Sequence, residues 1–93
     1  MRRRFLRSLT QDPKPVVAPR TVDEGGVLVI EVNSNAKELG LLVPGVGAIY
    51  LPVPHSRRVE YRLPPEVHGG DGIVITDLNW PTPGGATVLV VGA

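Results

Sequence analysis

Short runs of valine, leucine and isoleucine, interrupted every few residues by glycine or proline, dominate this chain of 93 residues. It contains 11 glycines and 10 prolines, a high number for a folded domain. Branched aliphatic side chains favour strands, and glycine and proline favour the turns between them. The runs are also too short to form stable helices. The pattern therefore predicts an all-β fold with short strands and tight turns.

Six or seven strands are predicted from these runs, and four of them are well defined. The four are residues 27–32, 57–63, 73–78 and 86–91. In residues 57–63, Val59, Tyr61 and Leu63 alternate with charged residues, so we expect these three side chains to face the core. Residues 86–91 (ATVLVV) lack polar alternation. This last strand is therefore either central in its sheet or offers an apolar face to another subunit.

Two connections carry local structural signals. In residues 33–40 (NSNAKELG), Asn35 as a cap and Gly40 as a terminator predict a single helical turn. Pro44 and Gly45 separate two apolar runs and predict a type II turn, because glycine accepts the positive φ of the third turn position at little cost. The strand spacing of about 8–15 residues predicts a small antiparallel β-sandwich, immunoglobulin-like or jelly-roll-like, or a small barrel.

Charge divides the chain into two parts. Residues 1–22 hold six basic residues against Asp12 alone, whereas residues 23–93 hold eight acidic and four basic residues. Prolines in residues 13–19 favour an extended tether. We therefore predict a basic N-terminal arm with a proline-rich tether (residues 1–22) and a β domain (residues 23–93). Such asymmetry is typical of an arm that meets a negatively charged surface.

Residues that would support catalysis or metal binding are scarce. The chain has no cysteine and three serines, none of them in a G-x-S-x-G motif. His55 and Ser56 are adjacent, and adjacent strand residues point to opposite faces. His55 and His68 lack the close spacing of zinc ligands. We expect no enzymatic activity, no metal site and no cofactor.

Two glycine-rich loops are candidate binding sites. Residues 69–72 (GGDG) lack the Lys-Ser/Thr and the helix of a phosphate-binding loop, so we expect a plain turn in which Asp71 binds its own backbone. Trp80 lies in a loop stiffened by two prolines. It is either a cap on a core with few aromatic residues or a rigid contact anchor, and the sequence leaves both open.

The basic arm has several possible roles. As a protein-docking arm it would pack apolar side chains on a neighbour while its arginines pair with carboxylates. The residues for this role are Arg2, Arg3, Arg4, Phe5, Leu6, Arg7 and Leu9. Nucleic-acid binding, organelle targeting and a solvated tail are the alternatives. No apolar stretch reaches the ~20 residues that a membrane-spanning helix needs, and Arg7 interrupts any secretory signal.

In layout the chain resembles small β-rich accessory proteins of phage virions, of the capsid decoration (cement) or connector type. The likeness lies in the arm MRRRFLRSL, the tether in residues 13–19 and the strands of residues 27–91. It involves no specific motif and transfers no functional residue. The resemblance implies a location in a virion and an oligomeric assembly.

Together these features predict a non-enzymatic structural or interaction protein. It would be a subunit of a larger protein assembly that docks through the basic arm and apolar strand faces. One alternative is an immunoglobulin-like binding module that uses the Trp80 loop. Another is nucleic-acid binding through the arm.

Overall fold

The computed structural model describes residues 16–77 and 85–92. These residues form eight strands and no helix, so the all-β prediction is confirmed. The strands are β1 (Val16–Val17), β2 (Thr21–Asp23), β3 (Val27–Val32), β4 (Glu38–Val43), β5 (Gly47–Pro52), β6 (Arg58–Arg62), β7 (Gly72–Asp77) and β8 (Gly85–Val91).

The strands form two sheets, with order β1-β3-β6 and β2-β8-β7-β4-β5. Within the described residues every pairing is antiparallel except that of β2 with β8, which is parallel. The two sheets enclose one apolar core, which makes the fold a β-sandwich. The order β8-β7-β4-β5 opposite β1-β3-β6 follows the G-F-C-C′ and A-B-E order of immunoglobulin-type sandwiches.

The core consists of the side chains that alternate inward from both sheets. In β3 the buried residues are Leu28, Ile30 and Val32, and in β4 they are Leu39, Leu41 and Val43. Val16, Val22, Val59, Ile73, Ile75, Val88 and Val90 complete the strand contribution. Burial of one alternate set per strand fixes the register, because a slip of one residue would turn the whole set outward.

The alternation predicted for residues 57–63 is confirmed. Val59 and Leu63 are buried and Tyr61 is half-buried, whereas Arg58 and Arg62 are exposed. β8 lies between β2 and β7, so the apolar last strand is central in its sheet. Leu89, on the side of β8 that faces away from the core, is exposed.

The turn at Pro44 and Gly45 also forms as predicted. The amide of Val46 donates a hydrogen bond to the carbonyl oxygen of Val43 at 3.0 Å. Gly45 has a φ of 81°, the left-handed value required at the third position. The turn joins β4 to β5 as a hairpin.

The helical turn predicted for residues 33–40 is wrong. Glu38 and Gly40 lie in β4, which pairs with β5 on one side and β7 on the other. Pairing on both sides provides hydrogen-bond partners for the backbone of β4, and it buries Leu39. These two contributions outweigh the weak local capping signal. Ser34 instead accepts a hydrogen bond at Oγ from the amide of Ala36, at 3.1 Å.

Residues 16–22 belong to the sandwich, although the sequence assigned them to the tether. β1 pairs with β3 and β2 pairs with β8, so the entering chain contributes one strand to each sheet. Val16 and Val22 are buried in the core. The domain boundary predicted after residue 22 therefore falls within β2.

Candidate interaction surface

The outer side of the five-stranded sheet, as far as the structure describes it, is uncharged inside its rim. Ten of the outward positions that the register brings onto this side are Thr21, Gly40, Leu42, Ala48, Tyr50, Gly72, Val74, Thr76, Thr87 and Leu89. We call these ten residues the uncharged face. Among the described residues of these strands, acidic residues with the same orientation occur at the rim, where Asp23 ends β2 and Glu38 begins β4.

The centre of the uncharged face is apolar. Leu42 pairs with Ala48 on one side and Val74 on the other, so their side chains form a row across three strands. Leu42 is 56% exposed, although a leucine in a strand of a small sandwich is normally buried. Leu89 extends the apolar surface onto β8 and is 48% exposed.

Tyr50 stands next to an open depression in this face. It is 59% exposed and pairs with Gly40, which has no side chain to fill the neighbouring outward position. The depression measures about 200 Å³ and is lined by Leu42, Val74 and Thr76 as well as by these two residues. The face thus presents a projecting aromatic side chain beside a recess.

The outer side of the three-stranded sheet has the opposite character. Cross-strand pairs there join Glu31 to Arg58, Val29 to Glu60 and Val27 to Arg62. Arg58 and Glu60 form an ion pair at 3.4 Å, with both side chains more than half exposed. Exposed pairs of this kind contribute little to stability and keep a surface hydrated. This charged side also exposes Val17 and Val27, but charged residues lie next to both valines across the strands.

A groove lies between the exposed edges of β5 and β6. It measures about 350 Å³ and is lined by Leu51, Val53 and Val59, with Arg58 and Glu60 at its margin. Within the described residues neither β5 nor β6 has a second strand partner. Of the apolar residues that line the groove, Val59 is buried, Leu51 and Val53 are half-buried, and Pro52 and Pro54 are exposed.

The glycine-rich turn after Val67 is held by two carboxylates. Asp71 accepts a hydrogen bond at Oδ2 from the amide of His68 at 2.9 Å, so the turn predicted there is confirmed. Glu24 accepts one at Oε2 from the amide of Gly69 at 2.5 Å. Both carboxylates act on the backbone of the turn.

The two histidines lie at opposite ends of the sandwich. His55 is in the β5–β6 connection and His68 is in the β6–β7 connection. Within residues 16–77 and 85–92, no group of three or more His, Asp and Glu side chains is close enough to bind a metal. In the same ranges no helix is long and apolar enough to cross a membrane.

Comparisons of the chain with protein-family models, curated proteins and solved structures found no match.

The site residues predicted from the sequence lie outside the described residues. They are Arg2, Arg3, Arg4, Phe5, Leu6, Arg7, Leu9 and Trp80. The uncharged face was not found by sequence reasoning, which named only apolar strand faces in general. Its signal was present, since the positions of residues 40–50 and 72–76 that alternate with the core residues are uncharged.

Proposed function

We propose that this protein is a non-enzymatic subunit of a protein assembly and that the uncharged face is its docking surface. The observation that carries the proposal is the exposure of Leu42, Tyr50, Val74 and Leu89 on one continuous side of the sandwich. Single exposed apolar residues are common, but a contiguous patch with polar residues at its rim is typical of a protein interface.

The contrast between the two sheets supports this assignment. Both outer sides belong to the same small sandwich, yet only the three-stranded sheet carries alternating acidic and basic residues. An exposed sheet surface without charge favours association, and natural β-proteins commonly use charged residues to oppose it. Residues 1–15, which hold five basic residues, provide a second contact to carboxylates on a neighbouring subunit.

The test compares two substitutions that place the same charge on opposite sides of the sandwich. Full-length protein carrying Leu42→Glu or Val27→Glu is expressed in its native source, and its sedimentation is measured at moderate and high salt. Val27 lies on the charged side and is 39% exposed, which makes it the matched control.

We expect the wild-type chain and Val27→Glu to sediment in a species larger than the 10.0 kDa monomer, at both salt concentrations. Leu42→Glu should sediment as a monomer, because a carboxylate in an apolar contact is costly to desolvate. A wild-type chain that is monomeric at both salt concentrations would refute the proposal. The layout resemblance makes a virion the first assembly in which to look.

A further inference from the structure

We infer that the uncharged face binds the same face of a second copy of this chain, forming a dimer with two-fold symmetry. The inference rests on the proposed docking surface and names its partner. In such a contact both copies use the same residues, so that if one residue meets a second across the interface, the second also meets the first. The surface must therefore be complementary to itself.

The lack of charge at the centre of the face suits a second copy of this chain. At the uncharged face, two copies meet without desolvating an ionised side chain except at the rim. A strongly charged partner would gain no ion pair at the centre of this face. A second copy is therefore the partner whose charge pattern fits.

The shape of the uncharged face also fits a second copy. Tyr50 projects beside the depression that it helps to line, so the projection and the recess are neighbours on one surface. A two-fold axis close to the depression brings Tyr50 of each copy to the recess of the other. Aromatic side chains that enter a partner's recess are typical anchors of protein interfaces. The exchange is reciprocal, as two-fold symmetry requires.

The area of the face is that of a small interface. Four strands of about 20 Å and one of about 10 Å, spaced by about 4.8 Å, cover roughly 430 Å² in plan on each copy. Two copies then bury roughly 900 Å², before the relief of projecting side chains is added, which is close to the lower limit of about 1,000 Å² for a specific interface. Sheets pack face to face readily, with the side chains of the two facing sides interdigitated. Because the interface is small, we expect a reversible dimer.

The first experiment measures the mass of the purified full chain by sedimentation equilibrium, from low micromolar to near-millimolar concentration. The wild-type chain should shift from 10.0 kDa towards twice that mass. Leu42→Glu should weaken the dimer by at least about tenfold, because the charge must lose its water at the contact. Val27→Glu should leave the dissociation constant within about twofold, since single rim or distant changes add little.

Circular dichroism of both variants shows whether each keeps the β-sandwich. If Leu42→Glu proves unfolded, Tyr50→Ala replaces it, because Tyr50 is exposed and contributes little to the core. A dimer that both Leu42→Glu and Tyr50→Ala leave unchanged overturns the inference.

The second experiment uses the absence of cysteine from the chain to place one thiol per copy. Val74→Cys introduces it on the central strand of the five-stranded sheet, and Val29→Cys introduces it on the central strand of the other sheet. A short bis-maleimide should cross-link Val74→Cys into dimers at least about tenfold faster than Val29→Cys, because proximity raises the effective concentration of the second thiol. Equal cross-linking of the two variants overturns the inference.

Deletion of residues 1–15 tests whether the N-terminal arm of a neighbouring copy, instead of its uncharged face, covers the uncharged face. If the arm of a neighbour covers the face, the deletion abolishes the dimer, and the inference fails. A pure wild-type chain that remains a monomer also overturns it. The proposed function survives that result if, in the native source, Leu42→Glu no longer sediments with the large species while Val27→Glu still does. If the large species is absent as well, both proposals fail.

Discussion

Arg57 donates a hydrogen bond from Nη2 to the carbonyl oxygen of Ala36, at 2.8 Å, across 21 positions of the chain. The same guanidinium nitrogen also contacts the carbonyl oxygen of Ser34. Arg57 thereby ties the β5–β6 connection to the β3–β4 connection at one end of the sandwich. Its backbone adopts a φ of 61°, which is unusual for a residue other than glycine. The hydrogen bonds stabilise two connections that contain no regular structure.

Replacing Arg57 should therefore destabilise the sandwich more than replacing its neighbour. Arg57→Ala should lower the free energy of unfolding by about 2 kcal/mol, because charged hydrogen bonds are lost and the carbonyl of buried Ala36 loses its partner. Arg58→Ala removes only an exposed ion pair and should cost less than about 0.5 kcal/mol. Urea unfolding monitored by circular dichroism measures both. Equal losses would show that the contact with Ala36 contributes nothing.

A close approach between Gly69 and the end of β8 yields a second prediction. A methyl group on Gly69 would lie 2.6 Å from the backbone nitrogen of Gly92, so Gly69→Ala must displace backbone. The amide of Gly70 donates to the carbonyl oxygen of Val90 at 2.7 Å, and a displacement here would strain that bond. We expect a loss of about 1–3 kcal/mol in the free energy of unfolding.

Gly72→Ala is the control for this prediction. Its added methyl group would lie 3.5 Å from Cγ2 of Thr87, an ordinary contact, so stability should change little. Alanine also restricts the backbone of the unfolded chain more than glycine does, and this should offset part of any loss in the free energy of unfolding. Thermal unfolding of the two variants at one protein concentration decides the comparison. If Gly72→Ala destabilises the protein as much as Gly69→Ala, loss of glycine flexibility rather than the close approach is the cause.

Tyr61 should make stability depend on pH under alkaline conditions. Burial raises the pKa of its phenol above the ordinary value of 10.0, and the negative charge of Glu66 raises it further. The unfolded chain therefore loses this proton first as the pH rises. The contribution to stability is complete below pH 10.0 and is lost between that value and the pKa of the folded state.

The measurement is urea unfolding at about pH 9 and about pH 11, on either side of the ordinary pKa of tyrosine. The wild-type protein should lose more stability between these two conditions than Tyr61→Phe, which has no proton to release. Glu66→Gln should reduce the difference without abolishing it, because burial remains. Identical pH dependence of the wild-type protein and Tyr61→Phe would contradict the prediction.

Two truncations test where the folded domain begins. Deletion of residues 1–15 leaves both β1 and β2 in place and should preserve the cooperative unfolding of the sandwich. Deletion of residues 1–23 removes Val16 and Val22 from the core, together with one strand of each sheet. It should lower the free energy of unfolding by several kcal/mol, since two buried valines and two strand pairings are lost. Equal stability of the two proteins would place the boundary after residue 23, close to the sequence prediction.

Local signals were sufficient for the fold class and for most strands. The alternation of Val59, Tyr61 and Leu63 with charged residues depends only on the period of a strand, and it predicted which side of β6 is buried. The positive φ of Gly45 likewise followed from two adjacent residues. Capping signals at Asn35 and Gly40 failed, because β5 and β7 pair with the same segment from both sides. Pairing partners that are distant in sequence decided that case.

The amino-acid sequence by itself determined the alternation within each strand, because neighbouring side chains of an extended chain point to opposite sides. Only the tertiary structure decided which outward side chains lie together. Leu42, Ala48 and Val74 form one apolar row because β4 pairs with β5 and β7 in one register, although the three residues span 33 positions from first to last. Cross-strand neighbours depend on register and strand order, which the energy of the whole core selects. The alternation was therefore readable locally, whereas the uncharged face required the assembled sheet.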